Sequence, residues 1–568
     1  MPARTPTDAR PASAGLENPL YYLENIETVV EWVTVYHGDL LTAPERQRLA
    51  DFRALPTPAR ALLTRMIMRT GDLFRVDKLR YPEVEGGEHR VIDHLVQTEW
   101  LDPAPTVSLP ELFRLFTLAE LRPVFADTLA ALGFPRTLPK GQMLDRLQTV
   151  YHAPRSVLEW LGGPAPVVRL DCMALFDRIR LMFFGNLRQS WSDFVLVELG
   201  HQRYETVRFT PDSRAFASRE EVDLYLAMDQ CRQRLDDGVA LGDVWAAVPP
   251  PSDNRWLSRR RDRLLLELGR VAERSGDRDL ALQAFAASGH REASLKRLRL
   301  LERLKRFDEA WIIAQRWQQQ ALSDAEMQGL TRLLKRLGPK VGHPAPQAPA
   351  AAAIAAHTLI LPKPQTGSVE YAVKQQLWQD DAPVYYVENT LINALFGLLC
   401  WDAIYQPLPG AFFHPFHVGP ADLTGEDFIA RRAAAFDACL DLLRHGNHGS
   451  VIRRNFAAKQ GITNPFVVWP VIQQELLDMA LRCLPASDLD RIFRRLMGNL
   501  REHRSGLPDL IQFFPNRPEG EACYEMIEVK GPGDRLQDHQ IRWLEFFAAE
   551  GIPARVCYVR WHDGEAPA

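Results

Sequence analysis

Between Gly506 and Phe547 the chain runs GLPDLIQFFPNRPEGEACYEMIEVKGPGDRLQDHQIRWLEFF. An apolar run, a Pro/Asn/Gly-rich break, an alternating run, a Gly-Pro-Gly break and an amphipathic segment follow in that order. They predict strand, turn, strand, turn and helix. In YEMIEVK the two-residue period of a strand puts Tyr524, Met526, Glu528 and Lys530 on one face and Glu525, Ile527 and Val529 on the other. A carboxylate and an ammonium thus leave one face of an apolar strand at neighbouring positions.

Upstream, Pro508 fixes the entry of the first strand and puts Asp509 at its mouth. The PNRPEGEA turn lets the two strands pair antiparallel and brings Asp509 near Glu528. The result is Pro-Asp, eighteen intervening residues and Glu-x-Lys, the motif of the PD-(D/E)xK nuclease superfamily. These residue types suit the chemistry. Two carboxylates hold a hard divalent cation, which prefers oxygen ligands, offsets phosphate charge and acidifies a water. Lys530 would position that water and steady the negative charge that develops during attack. The helix is expected to start near Asp534 as N-cap, with Gln540 in a supporting role on its inward face beside Leu536, Trp543, Leu544 and Phe547. A plain surface ion pair between Glu528 and Lys530 is the competing explanation.

The rest of the chain reads as mainly α. A tail (1–18) precedes a helical DNA-binding unit (19–105) in which YYLENIETVVEWVTVY and PARALLTRMIMRTGDLF repeat apolar residues at three and four. Residues 106–160 read as two short helices joined at Gly133-Phe134-Pro135, then a turn carrying Lys140 and Gly141, which resembles a SAP module that contacts duplex backbone. A helical domain (161–340) includes a strand in DFVLVELG and tetratricopeptide-like spacing at Leu268-Gly269, Ala281 and Phe285, with a second small residue at Ala310. A Pro/Ala-rich linker and first strand (341–369) lead to an α/β domain (370–568) of the restriction-endonuclease-like type.

The net charge of −4 hides a segregation: from Arg255 to Arg306 there are fifteen Lys/Arg against seven Asp/Glu. Such a belt, including Arg259, Arg260 and Arg261, fits a phosphate-tracking surface or a solvated helix face. Seven cysteines without a CxxC pair argue against a disulfide framework or thiolate zinc site. His414 and His417, and His445 and His448, lack acidic or Cys partners at ligand spacing and read as structural. No run is long and apolar enough to span a membrane, no secretory leader is visible, and a cytoplasmic protein is expected, nucleoid-associated when bound to DNA. The absence of GxxxxGK[ST] speaks against an ATP-driven enzyme.

GLPDL, IEVKGPGDRLQDHQIRWL and the closing ARVCYVRW resemble a VRR-NUC domain. VENTLINALFGLLCWDAIY and PADLTGEDFIARR, with NPLYYLENIETVVEWV and FRVDKLRYPEV near the start, are similar to the Fanconi-associated nuclease family over nearly the whole chain. The resemblance implies that a helix-borne Glu, matched by Glu388, completes a metal site with Asp509, Glu528 and the Val529 carbonyl. From the residues alone, Glu388 at the head of an apolar helix is either a ligand or an acid favoured by the helix dipole. No Cys/His cluster for the ubiquitin-binding zinc finger of animal members is found, which with the high Arg to Lys ratio suggests a bacterial member. Arg535 and His539, one helical turn apart, either touch DNA backbone or form a solvated face.

These readings converge on a Mg²⁺- or Mn²⁺-dependent phosphodiesterase of the phosphodiesterase I type. By resemblance its substrate is branched DNA (5′ flap, fork or crosslinked duplex), cut and trimmed 5′ to 3′ in interstrand-crosslink repair. The rivals are a sequence-specific restriction-type endonuclease and a non-catalytic DNA-binding repeat scaffold.

Overall fold

The computed structural model describes residues 18–84, 88–135, 137–163, 166–189, 191, 203–210, 213–320, 322–344, 353–364, 367–518 and 520–562. The chain divides into two compact units, Met1–Gln202 with Phe216–Val222, and Arg203–Ala215 with Asp223–Ala568.

In the first unit the three-and-four spacing of α1 (Tyr21–His37) buries Tyr22, Ile26, Val29, Val30 and Val33 along one side. Helices α2 (Ala43–Ala54), α3 (Thr57–Ile67) and α4 (Glu88–Gln97) follow. A small antiparallel sheet sets β5 (Val167–Leu170) between β1 (Leu73–Arg75) and β2 (Leu101–Asp102). The SAP-like segment is an excursion from this sheet, closed at its base where β3 (Thr106–Val107) pairs with β4 (Arg155–Ser156). It holds α5 (Leu109–Leu115), α6 (Leu118–Ala131), α7 (Lys140–Leu147) and α8 (Val157–Leu161). Reciprocal capping by Ser108 with Glu111 and Thr117 with Glu120 starts the first two helices.

Three expectations change here. Residues 167–184 belong with the N-terminal elements and not with a domain spanning 161–340, because β5 completes their sheet and α9 (Met173–Phe184) packs on α1. The SAP-like core has three helices before β4, not two. Lys140 is the first residue of α7 instead of a turn residue, and its Nζ donates to the Phe116 carbonyl at 2.8 Å. The strand expected in DFVLVELG lies outside the described residues.

In the second unit, helices α10 (Arg255–Ser275), α11 (Arg278–Ala287), α12 (Arg291–Arg303), α13 (Phe307–Gln318) and α14 (Asp324–Leu337) stack in sequence. The tetratricopeptide-like spacing corresponds to a close approach: a Cβ on Gly269 would lie 2.5 Å from the Phe285 ring, and Ala281, Phe285 and Ala310 are buried. The basic belt is largely consumed internally. Arg259 pairs with Asp427, Arg260 reaches Asp229 at 3.2 Å and lies over the Tyr225 ring, and Arg261 donates to the Pro249 carbonyl at 2.8 Å. Each of these three arginines thus makes at least one bond within the fold.

Beyond the linker a five-stranded sheet has the order β6-β10-β9-β8-β7, from β6 (Ala356–Leu361), β7 (Val384–Tyr386), β8 (Leu510–Phe513), β9 (Tyr524–Lys530) and β10 (Ala554–Trp561). The β6/β10/β9 side is parallel and the β9/β8/β7 side antiparallel. The central β9 has apolar cover on both faces, as a central strand requires. Ile527 and Val529 join a core with Val373 of α15 (Val369–Leu377), while Tyr524 and Met526 join one with α16 (Leu391–Leu399) and the other helices between β7 and β8. The long 389–508 segment is therefore a helical layer sharing the nuclease core. Within it the PADLTGEDFIARR stretch has a structural task, since Asp422 accepts from both Arg431 and Arg432, the latter buried.

Gly269→Ala tests the solenoid packing. Alanine gains about 1 kcal/mol of helix propensity, but overpacking against the buried Phe285 ring costs about 1–3 kcal/mol. A net loss in denaturant-induced unfolding is expected, and a net gain would contradict the close approach.

Candidate metal-dependent active site

Asp509 reaches the site by a short path with little freedom. At Gly506 (φ +87°) the chain passes so close to His539 that a Cβ would meet its ring at 2.5 Å. Leu507 and Pro508 then lead to Asp509 just ahead of β8. The Trp543 indole donates to the carbonyls of His503 and Ser505, both at 3.2 Å, and pins the preceding turn. Antiparallel pairing of Leu510 with Ile527 sets the register. Asp509 Oδ2 consequently accepts from the Val529 N–H at 2.8 Å, within the same three-residue span that carries Glu528 and Lys530.

These side chains are buried: Asp509 is 7%, Glu528 0% and Lys530 8% exposed. Lys530 Nζ lies 2.8 Å from Glu528 Oε1 as an ion pair, yet neither Glu528 oxygen accepts a well-directed hydrogen bond. Burial, partly offset by the Val529 N–H and Lys530, pushes the Asp509 carboxyl up to about 6. Burial, then the Asp509 charge, pushes Glu528 up to about 7 against the pull of Lys530. Glu388 raises both further. Two buried carboxylates that share a single ammonium, Lys530, fit a hard divalent cation, which supplies the missing positive charge and prefers oxygen ligands.

The structure corrects three expectations. Glu388 is not on the helix but in the turn between β7 and α16, and it is exposed. The short edge strand β7, Val-Tyr-Tyr after Pro383, escapes a reading based on longer alternating runs. It pairs with β8, and the Val387 N–H donates to the Asp509 carbonyl at 2.8 Å, which places the Glu388 turn beside Asp509. Glu388 lies within electrostatic reach of the other two acids, but its carboxylate rests on the Tyr386 hydroxyl. Among the described residues no three Asp, Glu, His or Cys side chains are gathered at metal-ligand spacing.

The helix α17 (Asp538–Glu550) has Gln537 as its N-cap, three residues later than the expected Asp534. Asp534 instead accepts from the Gly531 N–H at 3.0 Å and shapes the turn after Lys530. Gln540 is half-buried, and its Oε1 accepts from the Gln537 N–H at 2.9 Å, so it caps its own helix. Arg535 is exposed, and His539 is half-buried with its pKa lowered mainly by burial.

Sequence reasoning missed several neighbours. Glu370, in the first turn of α15, adds to the negative field at Asp509. Tyr386, Asn389 and Asn393 bond around the Glu388 turn. A lone Asn393 inside an apolar helix was a visible signal, whereas Tyr386 and Glu370 carried none without the sheet order.

The raised carboxyls have a pH consequence when no cation is present. Between about pH 4 and pH 7 the unfolded chain has released protons that the folded site retains, so stability falls as pH rises through this window. Asp509→Asn keeps an oxygen for the Val529 N–H and removes the charge. In chelator at pH 8 it should raise unfolding stability by on the order of 1–3 kcal/mol, with the gain vanishing near pH 4. Denaturant titrations across pH measure it, and a pH-independent loss would contradict the buried-charge account.

Residues 443–561 match the VRR-NUC domain, residues 20–102 the FAN1 HTH domain and residues 107–160 the Fanconi anemia-associated nuclease SAP domain. A VRR-NUC domain of the PD-(D/E)xK type points to divalent-metal dependence. The chain is 46% identical to the Fanconi-associated nuclease 1 homolog of Pseudomonas aeruginosa over 97% of each chain. It is 23% identical to the Arabidopsis thaliana homolog over 95% of this chain and 67% of that one. A crystal structure of paFAN1 bound to 5′ flap DNA with a gap matches with a TM-score of 0.85 at 46% identity, covering 97% of this chain and 100% of that chain. Matching these three domain models and 46% identical to the Pseudomonas aeruginosa relative over 97% of each chain, the chain belongs to the Fanconi-associated nuclease family as a bacterial member.

Proposed function

We propose that the protein is a structure-selective DNA nuclease that hydrolyses phosphodiesters at 5′ flaps and trims 5′ to 3′, leaving 5′-phosphate and 3′-hydroxyl ends, in interstrand-crosslink repair. The observation that carries this reading is Glu528, a fully buried carboxylate whose close cationic partner is Lys530 at 2.8 Å, set beside a second buried acid, Asp509. That a relative of 46% identity was crystallised on 5′ flap DNA supports the choice of substrate.

Glu388, Asp509, Glu528 and the Val529 carbonyl would hold Mg²⁺ or Mn²⁺, which offsets phosphate charge and acidifies a water. Lys530, anchored on Glu528 at 2.8 Å, orients the attacking water and balances the charge that builds on the phosphate. The rigid approach from Gly506 keeps Asp509 at a constant distance from β9. Arg535 and His539, beside the motif, are the nearest candidates for DNA phosphates. Lys140, Arg259, Arg260 and Arg261 each make at least one bond within the protein, and because an ammonium or guanidinium carries several N–H donors they stay candidates for phosphate contacts.

Flap, fork, junction and plain duplex DNA incubated with Mg²⁺, Mn²⁺ or EDTA, with product ends mapped, test the reading. Cleavage is expected near the branch, abolished by EDTA and independent of base sequence. Asp509→Ala should lower cleavage on the order of 10²-fold or more while DNA binding persists. Cutting at a fixed duplex sequence without a branch would favour the restriction-type rival, and an absence of cutting with every ion would favour the scaffold.

A further inference from the structure

We infer that Tyr386, at the end of β7, is a positioning residue for Glu388, and that Asn389 and Asn393 clamp the turn carrying Glu388 to the segment that delivers Asp509. The inference rests on the metal-site reading above.

Tyr386 closes β7 opposite Leu510, the neighbour of Asp509 in β8. Two residues further on, Glu388 leaves the chain on the same side, and the Tyr386 hydroxyl donates to Glu388 Oε2. Oε1 has only a long contact with Asn389 Nδ2 at 3.4 Å, at the weak limit of a hydrogen bond, so its lone pairs stay available to a cation. Tyr386 is 47% exposed, and its hydroxyl bonds the carboxylate.

The turn itself is anchored from three directions. Asn389 has φ +52°, a left-handed conformation that asparagine tolerates better than most residues, and its Oδ1 accepts from the Leu507 N–H at 3.0 Å. Asn393, 4% exposed in α16, donates from Nδ2 to the Asn389 carbonyl at 2.7 Å and to the Arg504 carbonyl at 2.9 Å. The Val387 N–H bonds the Asp509 carbonyl on the other side. Glu388 and Asp509, more than a hundred residues apart in sequence, are thereby tied into one body, and Tyr386 sets the remaining side-chain rotation. Hydrogen-bonded outer partners of metal-ligating carboxylates typically contribute 10- to 100-fold in metal affinity.

The test is Mn²⁺ binding to the full chain without DNA, followed by electron paramagnetic resonance of free Mn²⁺. Variants are Tyr386→Phe, Glu388→Gln, their combination, and Asn389→Gly, which keeps the left-handed backbone while removing the amide. Tyr386→Phe should weaken Mn²⁺ about 10-fold or more with an unchanged melting temperature. Asn389→Gly should weaken it too, and adding Tyr386→Phe to Glu388→Gln should change nothing further. If Glu388→Gln weakens Mn²⁺ but Tyr386→Phe binds it like the wild type, the positioning role is overturned while the metal site stands. If Glu388→Gln leaves Mn²⁺ binding intact, the reading of Glu388 as a ligand fails, and the role of Tyr386 fails with it.

Discussion

Two carboxylates and one ammonium buried at the end of a central β-strand are the constraint around which the second unit is organised. Lys530 offsets one charge, and the Val529 N–H offsets part of another. The remainder is left to burial, which pushes both acids up toward neutral pH. Charges removed from water stay there only where the surrounding framework is stable enough to bear the cost. A cation turns that cost into affinity.

The framework meets this demand with a mixed sheet covered on both faces. β9 cannot shift by one residue without exchanging Met526 and Glu528 with Ile527 and Val529 between two different cores. The helical layer between β7 and β8 covers the Tyr524/Met526 face and also returns the chain to the mouth of β8. There Trp543, Gly506 and the two asparagines restrict the path. The same insertion that separates Glu388 from Asp509 in sequence thus carries the bonds that reunite them.

Elsewhere charge is spent on architecture. Arg259, Arg260 and Arg432 all close ion pairs within the fold. A run of arginines in sequence therefore reports helix packing here at least as much as a path for phosphates. Among the described residues no helix is long and apolar enough to cross a membrane.

Much of the catalytic core was legible because it is local: strand alternation in YEMIEVK, a turn-rich hairpin and the Asp-to-Glu-x-Lys interval depend on periodicity and steric rules acting over a few residues. The Gly269 and Phe285 contact was likewise written in helical spacing. What escaped depends on distant pairing. Glu388 looked helical because an apolar run follows it, and only its pairing with β8 makes Val384–Tyr386 a strand. The capping bond from Gln537 to Gln540 emerged only with the true helix start at Asp538. The membership of 167–184 in the first unit followed from β5 completing a sheet with strands about seventy and about ninety-five residues earlier. The amino-acid order alone determined which groups could carry the chemistry, because residue type and local period are intrinsic to a short segment. The tertiary structure decided which of them meet, because hydrogen-bond register and core packing join segments whose separation along the chain holds no geometric information.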